Sequence, residues 1–141
     1  MMRRLAIAAL LTGLATGAHA QDFRPAAQRI ASAWQHADVG TLGAQTARAG
    51  LSIDLAGERV GPYGSGRQAA AALKRLFEDR ETVSISIATA RETGGEPRRG
   101  YVELNWVTRT RGTRIPERSV VVVALEVDGD QWRITEIRLM R

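Results

Sequence analysis

The second half of this chain contains four long runs with strand-like patterning, and these runs constrain the fold more than any other feature. They are separated by short polar turns and cover residues 83–88, 102–106, 119–127 and 132–139. Alternation of apolar and polar residues places successive side chains on opposite faces of a strand. Asp128-Gly129-Asp130 is in addition a tight-hairpin signal. The pattern predicts a four-stranded antiparallel sheet.

The last of these runs changes phase in its middle. Trp132 and Ile134 lie on one face of the predicted strand, whereas Ile137 and Leu139 lie on the other. An extra residue in one strand restores such a phase, so the sequence predicts a β-bulge near Thr135-Glu136 that bends the sheet.

Helical patterning dominates the first half of the chain. Pro25 suits the first turn of a helix, and apolar residues recur from there to Ala37 at helical spacing. Ser65 can cap a clear helix over residues 67–77, where four consecutive alanines favour helix. Between these helices the sequence predicts a short helix over 41–47 capped by Asp38, a strand over 51–55, and a loop or loose hairpin over 56–66. Helices followed by strands define the α+β class.

This order of elements resembles that of the nuclear transport factor two-like superfamily, and the similarity covers most of Gln21–Arg141. It is sharpest over Leu51–Phe77, where a short strand, a glycine-bearing loop and a helix follow one another. The resemblance implies a cone, in which three N-terminal helices pack in the concave face of a curved, mostly antiparallel sheet. Ketosteroid isomerase, the polyketide cyclases and small exported proteins of unassigned activity share this pattern. In the enzymes, acid–base residues line a pocket at the open end of the cone.

The first twenty residues have the three-part pattern of a secretory signal. Arg3 and Arg4 precede an apolar run of about ten residues, and Ala18-His19-Ala20 provides a small-x-small cleavage site. The run is too short to span a bilayer, which needs about 20 apolar residues. The sequence therefore predicts a cleaved signal peptide at 1–20, a domain at 21–141 that does not span a membrane, and a periplasmic or secreted location.

Composition excludes several kinds of chemistry. The chain has no cysteine, and His36 is the one histidine left after cleavage, so we expect no metal site, no thiol chemistry and no cofactor. Loss of Arg3 and Arg4 lowers the formal charge from +5 to +3. That excess lies almost entirely on arginines without the aromatic interleaving of single-strand binders, and we expect no nucleic-acid partner.

Asp54 is the candidate catalytic residue, because the superfamily resemblance implies a carboxylate base near the short strand. The resemblance also implies a tyrosine on the first helix, where this chain has Ile30 and Trp34. Glu103 or Asn105 could supply a further acid or amide, but both alternate away from the apolar row of their strand. An enzyme of the lyase or isomerase type, with Asp54 as base, is therefore the alternative hypothesis.

The preferred hypothesis is an exported, non-catalytic domain that binds a small apolar ligand or a protein partner. Such pockets are mostly apolar with few polar anchors, and large aromatic side chains suit them. The candidate lining residues are Trp34, Tyr63, Trp106 and Trp132. Core packing is the competing interpretation of the three tryptophans.

A basic loop between two predicted strands is a candidate contact for an anionic surface. It carries four positive charges, on Arg109, Arg111, Arg114 and Arg118. An envelope-associated structural protein using this loop is a further alternative. Ordinary solvation of an exposed turn is the competing interpretation.

Residues 119–127 are apolar on both faces of their predicted strand, as in a central strand covered on both sides. Helices can cover only one face of the sheet. A second copy of the same sheet would cover the other face, so the sequence predicts a homodimer that associates through the sheet.

Overall fold

The structure is a computed structural model that describes residues 22–55 and 57–141. The predicted signal peptide at 1–20 lies outside the described residues. The three helices are α1 (Phe23–Gln35), α2 (Val39–Ala44) and α3 (Gly66–Glu78). The strands are β1 (Leu51–Leu55), β2 (Glu58–Tyr63), β3 (Arg80–Gly94), β4 (Arg99–Thr110), β5 (Pro116–Asp128) and β6 (Gln131–Met140).

The strands form one curved sheet in the order β2-β1-β6-β5-β4-β3. The four predicted strands of the second half are β3 to β6, and all their pairings are antiparallel. The predicted α+β class, with three N-terminal helices and a mostly antiparallel sheet, is confirmed. The segment predicted as a loop or loose hairpin forms a hairpin, because β2 pairs with β1 antiparallel. β1 also pairs with β6, and this pairing is parallel.

The predicted bulge in the last strand is confirmed. Ala124 of β5 pairs with Glu136 of β6, whereas the next residue, Leu125, pairs with Ile134. Thr135 is therefore the extra residue, and its hydroxyl donates a hydrogen bond to the Ala124 carbonyl at 3.3 Å. The bulge brings the apolar residues on both sides of it to the same buried face, so the sheet bends around the helices.

The concave face of the sheet holds the core, because alternation directs one row of apolar side chains from each strand toward the helices. α1 and α3 contribute their apolar stripes to the same layer. Trp34, Phe77 and Trp106 meet there edge to face, with ring centres 5.1 to 5.7 Å apart. The largest fully buried members of the core are Trp34, Trp106, Ile30, Leu42, Leu51, Leu73, Leu104, Ile134 and Ile137.

Both predicted helix caps are present. The Ser65 hydroxyl accepts from the Gln68 N–H at 3.2 Å, and the Asp38 carboxylate accepts from the Thr41 N–H at 3.1 Å and from the Thr41 hydroxyl at 2.6 Å. These hydrogen bonds from Thr41, the side-chain bond first, lower the pKa of Asp38 below its ordinary value. The caps fix where α2 and α3 begin.

α2 ends earlier than predicted, at Ala44 rather than Ala47. The chain leaves the helix to pair with β6: the Ala47 N–H donates to the Ile134 carbonyl at 2.8 Å, and the Ile134 N–H donates to the Gln45 carbonyl at 2.7 Å. Tertiary pairing thus overrides the local helical preference of this segment.

The alternate side chains of β5, a strand in the middle of the sheet, lie on the outer face. Val121, Val123 and Leu125 are buried against the helices, whereas Val120 and Val122 on the outer face are only half-buried. The prediction that this strand is covered on both sides is therefore not met within a single chain.

Candidate functional site

A cavity of about 310 Å³ opens between the β1–β2 hairpin and α3. Its wall is mostly apolar. Ile53 and Leu55 come from β1, and Tyr63 from β2. Leu73 and Leu76 come from α3. The cavity lies at the lower end of the size range of small-molecule sites.

α3 supplies this wall because it carries apolar side chains outside the stripe that is buried in the core. Ala69, Leu73 and Phe77 form its buried stripe. Ala72 and Leu76, four residues apart and so on one side of the helix, are half-buried and border the cavity. The adjoining side of α3 therefore forms one wall of the site.

A close approach between two backbone segments shapes the hairpin opposite α3. Gly61 of β2 has φ +98°, and a Cβ there would lie 2.9 Å from the Leu51 carbonyl oxygen. Glycine alone adopts this conformation without strain. The tight hairpin holds Tyr63 opposite Leu51 and so beside the cavity.

The rim of the cavity is charged. Arg75 stands in the last turn of α3, Asp79 follows that helix, and Arg80 begins β3. The guanidinium carbon of Arg80 lies 5.9 Å from the centre of the Trp106 ring, within range of a cation–π contact. The site therefore joins an apolar wall to two guanidinium groups and one carboxylate.

Of the four predicted lining residues, Tyr63 alone borders this cavity. Trp34 and Trp106 are fully buried in the aromatic cluster, and the Trp106 indole N–H donates to the Thr82 hydroxyl at 2.9 Å. Trp132 packs edge to face on Phe23 with ring centres 4.9 Å apart. Large rings on the inward row close-pack against one another, so the three tryptophans belong to the core and do not border this cavity.

Asp54 lies on the outer face of the sheet, away from the cavity. Its neighbours Ile53 and Leu55 border the cavity, so alternation turns Asp54 to the other side. Its Oδ1 accepts a hydrogen bond from the Gly57 N–H at 2.8 Å. The carboxylate therefore stabilises the β1–β2 turn, and the geometry expected of a base inside the cone is absent at this residue.

The other positions named by the enzyme hypothesis do not converge on the cavity either. Ile30 and Trp34 occupy the inward face of α1 and are fully buried. Glu103 and Asn105 pair with Val122 and Val120 in the sheet, on the outer face. The three-residue acid–base set implied by the resemblance is not assembled.

The four predicted surface arginines separate into different roles. Arg111 Nε donates to the Glu78 carbonyl at 2.6 Å, and its backbone N–H donates to the Asp79 carbonyl at 3.2 Å. Arg109 Nη2 lies 4.0 Å from the Glu81 carboxylate across the strand pair. Arg114 and Arg118 are exposed. Arg111 thus holds the end of α3, and Arg109 lies beside Glu81.

His36 lies at the end of α1, where its Nδ1 is 2.8 Å from the Ser32 carbonyl oxygen. Across residues 22–55 and 57–141, no group of three or more histidine, aspartate or glutamate side chains could hold a metal ion. In the same part of the chain, no helix is long and apolar enough to cross a membrane.

Arg75, Asp79 and Arg80 are the site residues that the sequence did not indicate. They are charged and stand at the junction of a helix and a strand, where solvent exposure is the ordinary expectation. The sequence does contain one signal for this site, on α3: Ala72 and Leu76 form a second apolar row beside the buried stripe of the helix.

Comparison with known proteins finds relatives by structure and none by sequence. No protein-family model and no curated protein matches the chain. A DUF4783 family protein from Bacteroides uniformis is similar with a TM-score of 0.66 and 12% identity, over 81% of this chain and 94% of that one. A hypothetical protein with a ketosteroid isomerase-like fold from Catenulispora acidiphila, in complex with trimethylamine, has a TM-score of 0.62 and 20% identity over 81% and 82% of the two chains.

An epoxide hydrolase from M. tuberculosis, described as LEH-like, has a TM-score of 0.58 and 22% identity over 82% of this chain and 78% of that one. Together with the cone geometry, these likenesses define the class of protein. The chain has the nuclear transport factor two-like fold, shared with ketosteroid isomerase-like proteins. At such identities the likeness concerns the fold alone, since this fold carries unrelated functions.

Proposed function

We propose that this chain is an exported, non-catalytic domain that binds a small apolar molecule in the cavity between the β1–β2 hairpin and α3. The observation that carries the proposal is the mostly apolar wall of that cavity, formed by Ile53, Leu55, Tyr63, Leu73 and Leu76. Burial of each methylene of a ligand contributes about 0.8 kcal/mol. The fold is also one whose members include ligand-binding proteins.

A non-catalytic role is favoured because the acid–base set that the superfamily resemblance implies does not converge on the cavity. Asp54 accepts a hydrogen bond in a turn on the other face of the sheet. Asp79 is the carboxylate on the rim, and among the described residues no second member of the implied set accompanies it there. General acid–base catalysis needs a group that exchanges protons near the working pH and reaches the substrate.

A pair of alanines on α3 provides the test. Ala72 borders the cavity, whereas its neighbour Ala71 is exposed. We expect Ala72→Phe to occupy the cavity and weaken calorimetric binding of 1-octanol by at least about tenfold, because loss of two methylene contacts already corresponds to that factor. Ala71→Phe makes a matched control and should bind like the parent protein. Equal binding by the two variants would place the ligand elsewhere.

Export and assembly belong to the same proposal. Native mass spectrometry of protein purified from its own host would report the processed N-terminus, a retained ligand and the subunit count together. A chain beginning at Gln21 with a bound small molecule supports the proposal. A chain that retains residues 1–20 contradicts export, and recovery with a bound protein but no small molecule favours a protein partner instead.

We also propose that two copies associate through the outer face of the sheet. This face carries half-buried apolar residues beside polar neighbours such as Glu103 and Asn105; the apolar residues are Tyr101, Val107, Val120, Val122 and Ala124. Exposed apolar surface rimmed by polar residues supports an interaction surface. Self-association through one shared face is a closed arrangement with two-fold symmetry.

A further inference from the structure

The cavity has a charged rim that a wholly apolar ligand would leave unused. Arg75, Asp79 and Arg80 border it. Within the described part of the chain, no carboxylate lies at ion-pairing distance from either guanidinium group. Other arginines of the chain have such partners, as Arg98 does with Glu92 and Arg99 does with Glu126. Neither guanidinium group at the cavity is therefore held in an ion pair.

Arg80 is held in place even so. It is half-buried, and its guanidinium carbon lies 5.9 Å from the centre of the fully buried Trp106 ring. Stacking on a fixed ring restricts the side chain, so less conformational entropy is lost when it binds an anion. A planar guanidinium with free N–H groups matches a carboxylate in geometry.

The charges on the rim select for a single negative charge. Arg75 and Arg80 provide two positive charges and Asp79 one negative charge, which leaves a net charge of +1. A bound monoanion would bring the net charge of the rim to zero. A dianion would leave an excess of negative charge beside Asp79, and a neutral molecule would leave the guanidinium groups unpaired.

We propose that the cavity binds a small amphiphile with one carboxylate, whose acid group pairs with Arg80 and Arg75 and whose alkyl chain lies against Leu55 and Leu76. This inference rests on the proposed function of the cavity as a ligand site. A cavity of about 310 Å³ is small, and a short alkyl chain is therefore the suitable probe. Octanoate is a carboxylate of that kind.

Three probes of equal chain length test the inference by calorimetric titration of the full chain. Octanoate is a monoanion, octanamide is its neutral counterpart of the same shape, and octylammonium carries the opposite charge. We expect octanoate to bind about tenfold more tightly than octanamide, since hydrogen bonds to charged groups are stronger than neutral ones. Octylammonium should bind least.

Two variants assign the preference to the rim. Arg80→Gln should reduce the octanoate preference to near unity while octanamide still binds, and the exposed Arg75→Gln should reduce it about threefold. Arg114→Gln, in an exposed loop, is the matched control and should keep the full preference. Thermal melting of each variant verifies that it is folded. If Arg80→Gln does not fold, Arg75→Gln alone tests whether the rim sets the octanoate preference.

The outcomes separate the two proposals. Equal affinity for octanoate and octanamide would overturn the carboxylate inference and leave the apolar site intact. Tighter binding of octylammonium would overturn it too, and would make Asp79 the anchor. If none of the three probes binds, the proposed ligand site itself fails, and the inference fails with it.

Discussion

At the scale of single residues, two glycines permit the close crossing of α2 and α3. A Cβ added at Gly43 would lie 2.5 Å from the Gly66 carbonyl oxygen, and one at Gly66 would meet the Gly43 carbonyl oxygen as closely. Both obstacles are backbone atoms, which move only if the helices separate. The crossing places α3, and with it the wall of the cavity.

Gly43→Ala should therefore destabilise the fold by about 2 kcal/mol, the typical cost of overpacking, as measured by urea unfolding. Gly40→Ala in the same helix is the matched control, because its nearest neighbour would be the Asp38 carboxylate at 3.6 Å. Alanine favours helix over glycine by about 1 kcal/mol, so this control should be neutral or stabilising. Equal losses in the two variants would argue against the backbone clash.

At the scale of elements, the Asp38 cap fixes the residue at which α2 begins. The hydrogen bonds from Thr41 lower the pKa of Asp38. A carboxyl whose pKa is lower folded than unfolded contributes stability that is present above the unfolded value and is lost as the pH falls through the folded value. We expect unfolding by urea to become easier below about pH 4.

Asp38→Asn isolates this contribution, because asparagine also caps helices but does not titrate. The variant should lose less stability than the parent between pH 7 and pH 3, with urea midpoints as the measurement. An identical loss in parent and variant would show that the Asp38 cap contributes nothing to the pH dependence.

The strands of the second half could be predicted because their pattern is local. The bulge at Thr135 followed from the phase of four apolar residues, since burial requires them to share one face. The sequence leaves β2 open between a loop and a loose hairpin, because Gly61 and Pro62 favour a loop and only pairing with β1 makes the segment a strand. The end of α2 depends likewise on β6, which is distant in sequence.

The candidate site was harder to predict than the fold. Tyr63 was identified because a loop aromatic beside glycines suggests a pocket mouth. The tryptophans were placed on the correct side of the sheet, but sequence alone does not distinguish a ring that lines a cavity from one that fills it. Arg80 becomes a site residue only through its contact with Trp106, a tertiary fact that no local pattern carries.

At the scale of the whole molecule, the layered arrangement separates two surfaces. The helices cover the concave face, and the cavity lies between α3 and the β1–β2 hairpin, whereas the outer face presents half-buried apolar residues from β4 and β5. A ligand in the cavity and a second copy on the outer face would therefore not compete. The proposed ligand site and the proposed dimer are therefore compatible.

Val122 is the residue with which to test the dimer, since it lies on the central strand between Glu103 of β4 and Arg138 of β6. Val122→Arg should leave the single chain folded, because the side chain is half-exposed and has Glu103 beside it. In a dimer the new guanidinium and its long side chain would lose their hydration between the two sheets, at a cost of several kcal/mol. Sedimentation velocity at micromolar concentration should then show dimer for the parent and monomer for the variant. Val83→Arg is the control, because Val83 lies on the edge strand β3 and is already exposed; this variant should remain dimeric. A parent protein that sediments as a monomer would refute association through this face.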